Sequence, residues 1–269
     1  MSSRLAAVLC ALGLLAAAPP PPLARAEERV LADPLAALER DADEVGKEVF
    51  RAYASYDVAR LTKAVAALEA RAGKPGARPD DGWLLAQAHV ELLAIHRFYE
   101  REAQAGMPAA LADVDPAALA DRGLEHARAF AAAHPEHSDI ERAIGELLSY
   151  QIRGMAGGLT KGPEAEAAID RAVEKDRTNA WARFAIARMR FHNPKFAGGD
   201  LDLALKEMRE LARALASVRV TLYVAHGYRK KGMLPQALFW VEKSLAIAPE
   251  NPEAKWLEAT IGEEMEAGR

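Results

Sequence analysis

The chain has 269 residues, of which 51% are hydrophobic and 28% charged, which excludes a disordered chain and allows a sizeable core. A formal charge of −4 argues against general binding to nucleic acid or to anionic membranes. Aromatic residues are only 6%, alanine dominates the apolar positions and β-branched stretches are few, so the composition points to an all-helical protein.

The N-terminus reads as a secretory leader. Arg4 supplies its positive charge, and Leu5 to Ala18 is an uncharged apolar run. That run is shorter than the roughly 20 residues a membrane-spanning helix needs. Pro19 to Pro22 follow, then Ala24-Arg25-Ala26, in which Ala24 and Ala26 form an A-x-A cleavage site. Cys10 lies inside the apolar run behind Leu9, where a lipid-attachment signal needs a small residue, so the spacing argues against a lipid anchor. Cleavage after Ala26 leaves no cysteine, hence no disulfide and no thiolate metal site. The 35 basic residues less the leader's two leave 33 against 39 acidic ones, a mature net charge of −6. No later segment is long and apolar enough to span a bilayer. The expected location is periplasmic or secreted.

The mature chain is punctuated by helix starts. Asp33-Pro34, Asp115-Pro116 and Asn251-Pro252 each set a capping side chain before proline at the first helical position. Gly162-Pro163 and Leu234-Pro235 are weaker versions. Ser138 and Glu141 have capping-box spacing, and Thr178 and Asp200 read as single caps. Between these marks run apolar stripes at helical spacing: Leu84, Ala88, Leu92 and Ile95; Ile140, Ile144, Leu147 and Ile152; Leu201, Leu205, Met208 and Leu211. Gly73 to Pro79 reads as a linker. Gly106-Met107-Pro108 ends the helix that begins near Asp81, and Gly154 to Gly162 reads as a glycine-rich turn. The pattern predicts about ten or eleven antiparallel helices with short loops, an α-solenoid. Its expected divisions are the leader 1–26, an N-terminal helical region 27–115, and repeats over 116–269. Ala254, Trp256, Leu257 and Ile261 mark a closing helix.

Catalytic and metal chemistry find no candidate residues. Gly154 to Lys161 superficially resembles a phosphate-binding loop, but Thr160 stands where glycine is needed, Gly162 where a hydroxyl is needed, and a helix precedes it in place of a strand. His89 and His96 share a predicted helix face near Glu91, yet their spacing suits neither a zinc-hydrolase helix nor a helical di-metal site. His134 and His137 flank Pro135 in a loop. There is no Gly-x-Ser-x-Gly elbow. No catalytic residue, metal or cofactor is therefore assigned. Trp83, Phe98, Tyr99, Tyr150, Trp181, Phe184, Tyr228, Trp240 and Trp256 read as core, with an apolar ligand pocket between helices as the alternative.

From Val218 to Asn251, residues Ala225, Tyr228, Gly232, Ala237, Ser244 and Pro249 fall where a 34-residue tetratricopeptide repeat (TPR) keeps small, aromatic, small, small, small and proline residues. The segment resembles that repeat. Ala165, Ile169 and Ala172 mirror Ala237, Val241 and Ser244, and divergent copies reach back to about Pro116. The loop Asn193, Pro194, Lys195, Phe196, Ala197, Gly198, Gly199, Asp200 is similar to one in exported bacterial TPR proteins. Those include the T component of tripartite ATP-independent periplasmic (TRAP) transporters. In the loop, Gly198 and Gly199 permit positive φ and Asp200 can cap the next helix.

The repeat resemblance implies a scaffold without enzymatic activity that binds a protein or peptide in the cell envelope. Its groove-facing positions fall on Arg219, Leu222, His226, Arg229 and Lys230, with Arg190 in the preceding unit. Together they would make a basic groove suited to an acidic peptide or a carboxylate. The narrower resemblance implies a periplasmic accessory component that binds a small organic ligand and serves a solute-binding protein. The first reading demands an open polar groove. The second demands a closed cavity.

Overall fold

The computed structural model describes residues 31–72, 74–75, 77–103, 106–152 and 154–268. The leader with Ala24, Ala26 and Cys10 lies outside these residues, as do Gly73 and Gly76 of the linker. From Leu31 onward the chain makes one compact unit. The described residues form thirteen α-helices: α1 (Pro34–Asp41), α2 (Glu44–Ala54), α3 (Val58–Arg71), α4 (Asp81–Arg101), α5 (Ala109–Ala112), α6 (Pro116–Ala133), α7 (Ser138–Tyr150), α8 (Gly154–Lys175), α9 (Ala180–His192), α10 (Leu201–Ala214), α11 (Val218–Lys230), α12 (Leu234–Ile247) and α13 (Pro252–Ala267). That is two or three more than the expected number. Among the described residues there is no β-strand, only an isolated bridge between Ala32 and Asn179, and no helix is long and apolar enough to cross a membrane.

The helices stack as hairpins. α2/α3, α4/α6, α7/α8, α9/α10 and α11/α12 each pack internally, and each second helix also packs on the first helix of the next hairpin. First helices touch one another along the inner side, α2 on α4, α4 on α7, and α7 on α9. This is the construction of an α-solenoid, in which neighbouring repeats bury one continuous core. The hairpin packing starts with α2, ahead of the stretch where repeat residues are readable. At the far end α13 buries Ala254, Leu257 and Ile261 against the last hairpin.

Several starts form as read. Asp33, Asp115, Asp200 and Asn251 each accept a backbone N–H in the first turn of the helix they precede. Others differ. The Ser138–Glu141 capping box does not form: His137 Nδ1 accepts from the Ile140 N–H, Ser138 Oγ donates to the Ala172 carbonyl of α8, and Glu141 pairs with Arg171 and Lys175. Tertiary partners here outcompete the local bond. Thr178 does not cap α9 either. Asn179, one residue on, accepts from both Trp181 and Ala182 N–H groups, and Thr178 Oγ1 donates to Asp176.

The glycine-rich turn is also corrected. Gly154 to Gly162 is helical and continues through Pro163 into the rest of α8. Ala165, Ala168, Ile169 and Ala172 anchor the later turns in the core. Helix propagation from that anchored part adds one hydrogen bond per residue, which outweighs the weak propensity of glycine. α4 ends at Arg101, five residues before Gly106.

Candidate functional site

The inner side of the solenoid is not an open groove. At one end α2 meets α11 and α13 from the other. Asn251 Nδ2 donates to the Ala54 carbonyl at 3.0 Å, Tyr56 Oη donates to Glu253 Oε2 at 2.5 Å, and Arg219 Nε donates to Tyr53 Oη at 2.9 Å. Phe98 of α4 meets Trp256 of α13 edge to face at 5.9 Å. Leu31 to Asp33 is tied to the start of α9. Ala32 N–H donates to the Thr178 carbonyl at 2.9 Å, Ala180 N–H donates to the Ala32 carbonyl at 3.0 Å, and Trp181 Nε1 donates to Asp33 Oδ1 at 2.8 Å.

A buried ionic network runs along the same inner side. Glu146 of α7 stands 3.5 Å from Arg142, 3.0 Å from Arg188 and 3.6 Å from Arg219. Asp139 takes Arg142 Nε at 2.9 Å and the Trp83 indole N–H at 3.0 Å. Glu91 pairs with Arg219. Three carboxylates thus face three guanidiniums, the neutral balance that buried charges require. Burial alone would raise the Asp139 carboxyl; the Arg142 charge and the bonds from Arg142, Trp83 and Asn179 overcome that and hold it below the usual range.

Between this network and the meeting point of α2, α11 and α13 lies a cavity of about 520 Å³. Five of the six residues expected to face the groove line it: Arg219, Leu222, His226, Arg229 and Lys230. Their charges are largely spent inside the fold. Arg219 is paired as above, Arg229 bonds Glu264 at 2.7 Å, and His226 Nε2 lies 2.8 Å from Glu253 Oε1. The sixth, Arg190, pairs with Glu207 of its own hairpin at 2.5 Å and does not reach the cavity. Arg188 does instead. Two residues on a helix are about 200° apart, so a slip of two reverses the face.

The residues missed in the sequence are the ones that give the cavity its charge. Arg97 and Arg101 sit one helical turn apart on α4 and line it, with Tyr53, Tyr56, Phe98, Tyr150, Phe191, His192 and Tyr223. Arg97 lies over the Tyr150 ring at 4.2 Å and Lys230 over the Phe191 ring at 5.0 Å. Among the described residues no carboxylate pairs with Arg97, Arg101 or Lys230. Desolvation by the surrounding atoms, then Arg188, Arg97, Arg101 and Lys230, hold the His192 imidazole at the cavity mouth below its ordinary range. Burial, followed by Arg188 and Arg101, lowers even the Arg97 guanidinium. An i, i+4 arginine pair was the available sequence signal, but only folding shows which residues it faces.

The Asn193–Asp200 loop is a tight, self-bonded turn. Pro194 accepts from the Gly199 N–H, and the Asp200 N–H donates to the Arg190 carbonyl. Gly198 alone has positive φ, +81°. Gly199 is required for a different reason: a Cβ there would run into the Asn193 carbonyl. Phe196 projects from the loop, 89% exposed.

No protein-family model matches the sequence, and no curated protein shows significant similarity to it. A solved thermophilic TPR protein from Thermus thermophilus superposes with a TM-score of 0.55 at 15% identity, over 80% of this chain and 98% of its own. The fold is a TPR-like solenoid. The likeness at that identity speaks for architecture alone. The site rests on the geometry above.

Proposed function

We propose that the mature chain is an exported, non-enzymatic binding protein whose site is the inner cavity, and that it takes a small organic acid. The observation that carries this is the cluster of Arg97, Arg101 and Lys230, of which Arg97 and Lys230 lie over aromatic rings, with no carboxylate partner among the described residues. An acid headgroup would relieve their mutual repulsion, and Phe98, Phe191 and Leu222 would receive its apolar body. The bonds from α2 to α11 and α13 bridge the inner side at one end, which shortens the room for a peptide laid along a groove. This favours the role of a periplasmic accessory component of a TRAP-type uptake system, passing a ligand to a solute-binding protein.

Native mass spectrometry of the protein purified from its own host tests this. A retained small acid is expected, and the double variant Arg97→Ala, Lys230→Ala should lose it. A bare protein that captures only a protein partner would overturn the proposal. One observation supports that second reading, a partner-binding scaffold: Phe196 is held outward on a rigid turn, the arrangement of an aromatic anchor.

A further inference from the structure

This inference rests on the cavity being the ligand site, and concerns how that site opens. The wall contributed by α2 is built in an unusual way. α2 ends in a Schellman motif: the Asp57 N–H donates to the Ala52 carbonyl at 2.8 Å and the Tyr56 N–H to the Tyr53 carbonyl at 3.0 Å. That motif places one residue in the left-handed region, and glycine ordinarily stands there because a Cβ is strained. Here the residue is Tyr56, with φ of +54°, the one non-glycine residue with positive φ among the described residues.

A strained backbone kept at a cavity wall asks what the side chain does there. The Tyr56 ring packs edge-on to Phe98 at 5.8 Å, and its hydroxyl donates to Glu253 of α13. The other oxygen of Glu253 bonds His226. Tyr53, one turn earlier, bonds Arg219. Tyr53, Tyr56, His226 and Glu253 all line the cavity, so the bonds that join the α2–α3 turn to α11 and α13 are also the seam of its wall. The turn's own backbone bonds are local, and across the seam Tyr53–Arg219 and Ala54–Asn251 hold the same turn beside the Tyr56 bond.

We propose that Tyr56 is the gating residue on the α2 side of the cavity: its hydroxyl latches the α2–α3 turn to Glu253, and release of that latch widens the cavity there for a ligand. Glycine at this position would form the turn with less strain but could not make the latch.

The test uses the mature chain and anilinonaphthalenesulfonate, a fluorescent probe that carries an anionic group on an apolar body, followed by stopped-flow fluorescence. Tyr56→Phe keeps the ring and removes the donated bond, and Glu253→Gln weakens the acceptor. Loss of a hydrogen bond to a charged group corresponds to about tenfold or more, so both variants should bind and release the probe about tenfold faster, with a smaller change in affinity. Tyr56→Gly relieves the strain but also removes a buried ring, so it should melt lower than the wild type and release the probe at least as fast as Tyr56→Phe. Wild-type rates in both Tyr56→Phe and Glu253→Gln overturn the gate. The double variant Arg97→Ala, Lys230→Ala separates the two proposals. If it weakens the probe while the Tyr56 variants keep wild-type rates, the site stands and the gate falls. If it leaves affinity unchanged, or the wild type shows no saturable binding, the site itself falls and the gate with it.

Discussion

Arg142 has none of its side chain exposed, and it holds Asp139, Glu146 and Gln87 together. Replacing it by methionine keeps the length and removes the charge, leaving the buried Asp139 without its cation while Glu146 keeps Arg188 and Arg219. Removing one partner of a buried ion pair costs about 3–5 kcal/mol, so Arg142→Met should show a loss of that size in urea denaturation. The two loop glycines make a paired prediction. Gly198→Ala meets only left-handed strain, about 1–2 kcal/mol. Gly199→Ala meets the Asn193 backbone, which cannot yield without unmaking the loop. Thermal melts should therefore rank Gly199→Ala as the more damaging. A sequence shows two adjacent glycines and no difference between them. The difference lies in where the preceding carbonyl goes.

At the scale of elements, capping was legible where the capping oxygen stayed available to the helix. Asp115 and Asp200 precede their helices at exposed junctions, while Asp33 and Asn251 keep their caps beside a tertiary bond, from Trp181 to the Asp33 carboxylate and from the Asn251 amide nitrogen to Ala54. Ser138 and Thr178 sit where α7, α8 and α9 meet, and other partners claimed their hydroxyls. Asn251 carries two duties, capping α13 and bonding the Ala54 carbonyl across the closure. A lost cap costs about 1 kcal/mol and a lost hydrogen bond about as much again. Asn251→Ala should then destabilise by about 2 kcal/mol in sum. Hydrogen exchange should show the loss in both the first turn of α13 and the end of α2. An effect confined to α13 would mean the cross-closure bond contributes nothing.

At the scale of the molecule, acid should loosen the fold. Burial lowers the His89 imidazole and, with less enclosure, that of His137. Each binds its proton less readily folded than unfolded, so the unfolded chain takes up more protons once the pH drops below about 6.5. Stability must then fall with falling pH, by up to about 1.4 kcal/mol per pH unit for each such histidine. His137 adds a direct cause, since a protonated Nδ1 cannot accept the Ile140 N–H that starts α7. Asp139 acts in the same sense at lower pH. Its carboxyl is held low in the fold, so its contribution is lost as the pH falls through that depressed value. Urea midpoints measured from pH 8 to pH 5 should decline, and His137→Asn, which keeps an acceptor, should decline less steeply. A flat profile would mean these histidines stay hydrated in the folded chain.

The sequence by itself determined the class of fold. Alanine-rich stripes at helical spacing, prolines behind capping residues and a repeated pattern of small residues are local signals, and each is satisfied within one hairpin or between neighbours. The closing helix α13 and five of the cavity residues were legible for the same reason, since they belong to the best-kept repeat. Only the tertiary structure decided that the inner side is bridged at one end. The bonds that bridge it join Tyr53, Ala54 and Tyr56 to Arg219, Asn251 and Glu253, far apart in the chain. No periodicity encodes such partners. It also decided which cations find carboxylates among the described residues. Arg219 and Arg229 are spent on carboxylates there, while Arg97, Arg101 and Lys230 are not. A charge in a sequence has a sign but no neighbour, and the neighbour determines whether it can hold a ligand.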